Sequence, residues 1–371
     1  MTFNVNISST TDEKEWNDNL SKSFDSTIYQ TFNWQKLYQH SFDSKPFFIT
    51  VSNDEGNIVG QLACLIHENM FWEDTNFIIK NIANYLSLGG ASLWWYHGPI
   101  IHDEIFYDEI LKIILTSVDK IAKDNDVVNI RGISSPLSKQ FSNKNFEKYD
   151  YKIQPWSTYI TDLKQDSETI FSSLNKKTRY DIRKAENNKL ELEIIDNIDS
   201  LKKIFELKLI VKNKSKKKSN KIQNSFLYSH WNFLFQKGFE KAFLAKYNNE
   251  YVGGIVLLQF NNNTIQHFVV NSSKTSLQGG PFLTWNMIKW GIENNYSSFD
   301  VGGINPNPVS EKEKKIDYYK SKWNGKKYDY FFYTKIINRK KYYISTELKN
   351  PKRIISKYRG KKTHNVEKRN M

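Results

Sequence analysis

A strand–turn–strand signature occurs twice in the chain, and this internal repeat restricts the fold more than any other feature. In the first copy, residues 47–51 lead through the polar turn Ser52-Asn53-Asp54-Glu55-Gly56-Asn57 into Ile58-Val59-Gly60 and an apolar run that ends at Ile66. In the second, Phe243-Leu244-Ala245 passes through Tyr247-Asn248-Asn249-Glu250 into Tyr251-Val252-Gly253-Gly254 and the apolar run 255–260. Each copy is followed by a helical periodicity and then by a strand that ends in glycine. The first helix spans about 105–123, with Ile110, Ile113, Ile114, Val118 and Ile121 at helical spacing, before the strand 127–130 and Gly132. The second spans 281–294, with Phe282, Trp285, Ile288 and Ile292 on one face, before Phe299-Asp300-Val301-Gly302-Gly303. A duplicated α/β unit accounts for this order, with its boundary near residues 150–156.

The 371 residues suffice for two such units on the usual scale of roughly 150 residues per domain. A core of that size folds without disulfides. The single cysteine, Cys64, lies among Leu62, Ala63, Leu65 and Ile66, which reads as a buried inert thiol in a reducing compartment. No apolar stretch approaches the ~20 residues that cross a bilayer, and the first ten residues have neither a basic nor an apolar leader, so a cytoplasmic protein is expected.

Charge is unevenly divided. Residues 1–150 hold 12 basic and 20 acidic side chains (net −8), residues 151–334 hold 29 and 18 (net +11), and residues 335–371 hold 13 and 2 (another +11). Lysine outnumbers arginine 47 to 7, as codon bias would produce, but such bias would raise lysine in the acidic first half as well. The asymmetry points to an anionic partner on the C-terminal side. Residues 211–221, with six lysines and no acid, read as an exposed loop. After Lys335 the tail mixes Tyr342, Tyr343, Arg353, Tyr358 and Arg359, is cut by Pro351, and suits RNA, an anionic lipid surface or a solvated disordered segment.

The familiar nucleophile and metal signatures are missing. There is no CxxC, HExxH, GxSxG or GxxxxGK[ST], which argues against zinc enzymes, serine hydrolases and ATP-driven enzymes. Three segments remain. Ser276-Leu277-Gln278-Gly279-Gly280-Pro281 follows the strand 264–270 and opens the second helix, where backbone N–H groups attract phosphate; it is otherwise a plain turn. Asp300 ends a buried-looking strand, where α/β sheets face their ligands; otherwise it caps the next loop. In Tyr319-Lys320-Ser321-Lys322-Trp323-Asn324-Gly325 an aromatic-walled Lys320 would neutralise a phosphate or a developing oxyanion; otherwise it is a solvated lysine. Between the halves, Asp166 or Ser167 caps a helix that carries Ile170, Phe171 and Leu174 and then Arg179 and Arg183 on one face.

Taken in order, Trp34 after Tyr29-Gln30, Tyr96-His97-Gly98-Pro99, Arg179-Tyr180-x-x-Arg183-Lys184-Ala185, Asp300-x-Gly302-Gly303 and Tyr319-Lys320-x-x-Trp323-x-Gly325 resemble the FemABX family of aminoacyl transferases over about residues 16–335. The resemblance implies an α+β fold of two tandem GNAT-like domains with mixed central sheets, at 1–152 and 153–335, followed by a basic tail at 336–371. It implies an N-acyltransferase that moves an aminoacyl group from aminoacyl-tRNA to an amine of an anionic cell-envelope precursor. Broader relatives are acyl-CoA-dependent GNAT acyltransferases, and a non-catalytic RNA- or membrane-surface-binding GNAT pair is the third reading. The resemblance assigns catalysis to Lys320 and Asp300. It assigns the donor to Ser276, Gln278, Gly279, Gly280 and Lys322, and the acceptor to Trp34, Tyr38, Trp94, Tyr96, Arg179, Tyr180 and Arg183. No metal or permanently bound cofactor is implied; tRNA is the implied partner, and the tail allows peripheral association with the inner membrane face. Two features depart from the family pattern: Tyr38 stands where many wall-building members carry Lys, and 201–242 is too short for the coiled-coil arm of several members. An amine attacking an activated ester needs no covalent enzyme intermediate, in keeping with the absence of a catalytic triad.

Overall fold

The computed structural model describes residues 2–68, 90–138, 143–213, 224–261, 263–272 and 275–349. The first unit comprises β1 (Asn4–Ser8), α1 (Glu13–Ser21), α2 (Phe32–Phe42), β2 (Lys45–Ser52), β3 (Ile58–His67), β4 (Ser92–Trp95), β5 (Ile100–Ile101), α3 (Tyr107–Asp124), β6 (Asn129–Ile133) and α4 (Asn143–Glu147). There follow β7 (Lys152–Asp162), α5 (Ser167–Ser173), α6 (Lys176–Asn187), β8 (Glu191–Ile194), α7 (Ile198–Asn213) and α8 (Asn224–Ser229), which runs into a π-helical turn, His230–Phe235. The chain continues with β9 (Glu240–Tyr247), β10 (Glu250–Phe260), β11 (Thr264–Ser272), α9 (Gly279–Glu293), β12 (Ser298–Ile304), α10 (Glu311–Ser321), β13 (Lys326–Ile336) and α11 (Arg339–Lys349).

The described strands form one mixed sheet in the order β1-β2-β3-β4-β6-β13-β7-β12-β11-β10-β9-β8, with β5 beside β3. The order is palindromic in form. Antiparallel β1-β2-β3 answers antiparallel β8-β9-β10, and the parallel pair β4-β6 answers the parallel pair β11-β12. The hairpin turns of the repeated signature therefore hold equivalent places. The central strands are exchanged: β7 follows the first unit yet pairs with β12, while β13 follows the second unit yet pairs with β6. β13 and β7 also pair with each other, from Lys326↔Ile160 to Thr334↔Lys152, so the sheet is continuous through the middle of the molecule.

Both faces of the sheet are covered, which is why β3 and β10 read as unbroken apolar runs. On β3, Leu62, Cys64 and Ile66 pack beneath α3, while Ala63 joins the opposite cluster with Trp16 and Trp34. On β10, Ile255 and Leu257 face α9, and Val256 faces α7. Leu234, Leu258 and Phe260 enter the cluster of Trp16, Trp34 and Leu37, and α2 packs on α8, so the two units share apolar core. Cys64 is fully buried, and burial pushes its thiol up, as an inert core residue requires.

The helix expected to run from Asp166 through Arg183 is two helices. Leu174 is extended (ψ 148°), and Asn175 accepts from the Thr178 N–H at 2.8 Å, so a second cap restarts the helix. The start of the tail is ordered as α11: Ile337 N–H bonds the Val128 carbonyl at 3.0 Å, and Lys341 pairs with Asp126. Residues 211–213 belong to α7; the rest of the lysine-rich run and residues 350–371 lie outside the described residues.

Candidate active site

β11 and β12 run parallel but pair only from Thr264↔Ser298 to Gln266↔Asp300, although both strands continue beyond. Their carboxyl ends diverge, and such a divergence opens a crevice where α/β sheets take ligands. Asp300 stands at the fork and is 5% exposed. Its Oδ1 accepts from Thr158 Oγ1 on β7 at 2.5 Å and from the Gly302 N–H at 2.8 Å, and Gln266 Nε2 lies 3.5 Å from Oδ2. Burial pushes this carboxyl up from its ordinary value; the bonds from Thr158 and Gly302 and the charge of Lys320 oppose that shift.

The two glycines after Val301 have separate spatial reasons. Gly302 has φ 83°, and a Cβ there would lie 3.2 Å from Lys320 Nζ. At Gly303 a Cβ would lie 2.3 Å from Tyr330 Oη and 2.5 Å from Trp156 Nε1, inside both side chains. Lys320, in the last turn of α10, donates to the Gly303 carbonyl at 2.9 Å. Burial lowers its pKa, and the Asp300 carboxylate opposes that shift. α10 is set in place by a capping box between Ser310 and Glu313.

Tyr319 connects Lys320 to the glycine segment. Its hydroxyl lies 3.1 Å from Thr284 Oγ1, and a Cβ at Gly280 would come within 3.4 Å of it. Gly279 and Gly280 are buried in the first turn of α9, Ser276 is exposed, and Gln278 takes a left-handed conformation (φ 59°) without a side-chain cap bond. The N-terminus of α9 thus lies against Tyr319, with N–H donors that Gln278 does not cap. A crevice of about 570 Å³ here is lined by His267, Lys312, Lys315, Ile316, Tyr319 and Lys320.

His267 is a residue that sequence reasoning missed; its signal was an imidazole in β11 one position past Gln266, the partner of Asp300. Its Nδ1 lies 3.3 Å from the Val301 carbonyl, so Nδ1 carries the proton and Nε2 is an unprotonated acceptor. Nε2 is buried and has no hydrogen-bond partner. Burial first and Lys320 second push the ring down to about 4.

Lys322, rather than Lys320, is the aromatic-walled lysine. Its ammonium lies 4.6 Å from the Tyr319 ring centre, 5.5 Å from that of Trp323 and 3.9 Å from Asp181 Oδ2 on α6, with a side chain 9% exposed. Residues two apart at a helix end face different sides, which separates the two lysines.

The expected residues of the first unit form a continuous aromatic wall. Tyr29 contacts Trp34 (4.7 Å between ring centres) and Tyr96 (5.8 Å), Tyr38 contacts Trp34 (5.3 Å), and Tyr96 contacts Trp94 (5.9 Å), over which lies the Arg131 guanidinium at 4.9 Å. Gln30 positions the wall by donating to the carbonyls of Tyr96 (2.6 Å) and Ala63 (3.2 Å). The wall reaches Asp300: burial and the Asp300 carboxylate together push the phenols of Tyr29 and Tyr330 upward. Arg179, Tyr180 and Arg183 sit apart from this wall, on α6. Arg179 donates to the carbonyls of Ser172 and Leu174, Arg183 lies over Phe171 at 5.4 Å, and Tyr180 is 61% exposed. Among the described residues, no group of three or more His, Cys, Asp or Glu is placed to hold a metal, and no helix is long and apolar enough to cross a membrane.

No family model matches this sequence, and no curated protein sequence does. Solved structures match it in shape. FemX superposes with a TM-score of 0.69 at 12% identity, over 93% of this chain and 99% of that one. A tandem GNAT protein from the clavulanic acid biosynthesis pathway gives 0.56 at 10% identity over 90% and 98%. L-PGS from Bacillus licheniformis gives 0.51 at 12% identity over 91% and 98%. At these identities the likeness is one of fold, and it extends over nearly the whole of each chain. The doubled sheet order, the fork at Asp300 and these superpositions make this chain a FemABX-like tandem GNAT protein in fold.

Proposed function

We propose that the protein is an N-acyltransferase whose reacting centre lies at the fork of β11 and β12. The observation that carries this reading is the crevice that Lys320 shares with a neutral His267, with the Asp300 carboxylate acting on Lys320. The amine of an acceptor attacks the carbonyl carbon of an activated ester or thioester, and negative charge develops on the carbonyl oxygen. The Lys320 ammonium supplies the compensating charge in a partly desolvated place, where it counts for more than in water. The bare Nε2 of His267 is the base available for the proton released by the attacking amine; as the carbonyl re-forms, the C–O or C–S bond to the donor breaks, and that proton passes to the departing ribose oxygen or thiolate. Holding the two substrates in line supplies the rest, with no covalent enzyme intermediate.

The proposed donor is aminoacyl-tRNA. The net +11 of residues 151–334 and the net +11 of residues 335–371 suit a polyanion. The α9 N-terminus at Gly279 and Gly280 favours a second reading, an acyl-CoA donor whose pyrophosphate sits there. The acceptor is an anionic amine laid along the half-buried part of the wall, Tyr38, Tyr96 and Trp94, its acidic group near Arg131; Trp34, 2% exposed in the core, supports the wall from behind and is not an acceptor contact. Purified protein offered charged tRNA and acyl-CoA separately, with a mixture of envelope-precursor amines, is read by mass spectrometry for a modified acceptor. Transfer from tRNA alone supports the first reading and transfer from acyl-CoA alone the second. Consumption of neither donor removes the acyltransferase reading.

A further inference from the structure

α10 sorts its charges by face. At about 100° per residue, Lys312, Lys315, Ile316, Tyr319 and Lys320 fall on one side of the helix, and these five with His267 line the crevice of about 570 Å³. The acids of the same helix are engaged elsewhere. Glu311 pairs with Lys314 at 2.9 Å, Glu313 accepts from Asn305 Nδ2 at 3.0 Å and from the Ser310 N–H at 2.9 Å, and Asp317 accepts from Tyr159 Oη at 3.1 Å. Among the described residues, the crevice is therefore lined by three lysines and no acid. Lys312 and Lys315 are exposed and Lys320 is half-buried, so the row runs from solvent toward the reacting centre. We infer that this row is the track along which the phosphates of the acyl donor lie, leading its acyl group to Lys320. The inference rests on the acyltransferase reading for what the phosphates carry.

With a rise of 1.5 Å per residue, Lys315 stands about 4.5 Å and Lys320 about 12 Å beyond Lys312 along the helix axis. A line of charges does not converge on a single ion. It serves a ligand that carries several phosphates in a flexible chain, as a single RNA strand and CoA both do. Each ammonium is a point charge with three rotatable donors, which suits phosphate oxygens whose positions vary along such a chain. Ile316, 38% exposed, and Tyr319 put apolar surface between the charges, against which a nucleobase, common to both donors, can lie.

The test uses the full chain and unacylated probes, so its outcome does not depend on whether transfer occurs. A short fluorescein-labelled single-stranded RNA is titrated by anisotropy and CoA by calorimetry, with adenosine as the phosphate-free control. Saturable binding of at least one phosphate-bearing probe is expected, and the probe that binds identifies the source. Lys312→Ala and Lys315→Ala should each weaken it about threefold or more at low salt, and on RNA each should lower the logarithmic salt slope by about 0.7. Lys314→Ala removes the same charge from the opposite face of the same helix and should change affinity little. All three put a good helix former at an exposed helical position, and circular dichroism verifies folding; if a crevice variant does not fold, Lys312→Gln and Lys315→Gln decide. Unchanged affinity in both crevice variants, an equal loss in Lys314→Ala, adenosine bound as tightly as the phosphate-bearing probe, or no saturation by RNA or CoA up to about 1 mM overturns the track. If the variants behave as expected while neither donor supports transfer, the track stands and the acyltransferase reading falls.

Discussion

Lys320 donates to the Gly303 carbonyl at 2.9 Å, and the Asp300 carboxylate opposes the lowering that burial imposes on its pKa. Replacing it with Ala removes the ammonium but leaves α10 with a good helix former, so the fold should persist while turnover drops by about 10²-fold or more, as for a lost oxyanion donor. Lys320→Arg should recover only part of the rate, since a planar fork is not a point charge. Steady-state kinetics with both donors, beside circular dichroism, check this; full activity in Lys320→Ala would move the reacting centre elsewhere. Gly303 makes a different demand. Gly303→Ala drives a methyl to 2.3 Å from Tyr330 Oη, in a residue 8% exposed, and should cost about 1–3 kcal/mol of stability as overpacking does. The double variant Gly303→Ala/Tyr330→Phe removes the nearest of the three clashing atoms and should regain part of the loss in urea denaturation.

Among the elements, the tail divides in two. α11 is fastened to the first unit by Lys341 with Asp126, and Lys335 just before it pairs with Asp119 at 2.7 Å, whereas residues 350–371 add eight basic and one acidic side chain. Truncation after Lys349 should leave the unfolding temperature nearly unchanged. It should flatten the dependence of tRNA affinity on salt, because each lost phosphate contact removes roughly 0.7–0.9 from the logarithmic slope. A large fall in unfolding temperature would show that the segment packs as structure. The elements also mark how far the sequence could be read. The hairpins, α3, α9 and the glycines after Val301 declare themselves through spacing and turn chemistry. The break at Leu174 hid in a continuous helical periodicity, since Asn175 signals a cap only once the preceding residue is seen to be extended. The exchange of β7 and β13 left no local trace, because a strand's own pattern says which face is buried and not which neighbour it takes. His267 went unread for the same reason: only the pairing with β12 sets it beside the Val301 carbonyl and Lys320.

For the whole molecule, burial holds four imidazoles neutral. His67, His97, His102 and His267 are pushed down to about 4, about 3, about 4 and about 4 from an ordinary 6.5. Between those values the unfolded chain binds protons that the folded chain does not, so the stability these rings contribute is complete above pH 6.5 and is lost as pH falls toward 4. The raised carboxyls of Asp25 and Asp300 act in the opposite sense at the acid end, but they are two against four. The unfolding temperature at fixed ionic strength should therefore fall steadily from pH 7 to pH 4.5; a flat profile in scanning calorimetry would contradict the burial of these rings. The exchanged strands bear on how the protein is made. A ribosome delivers β6 long before β13, so the nascent first unit waits with one edge of its sheet bare while all of the second unit is being synthesised. Such an edge is a template for any passing strand, and β7, the next to emerge, is the neighbour it must not keep. The last step of assembly is then the insertion of β13 between β6 and β7, and a chain stalled before Lys326 has no means of closing either half.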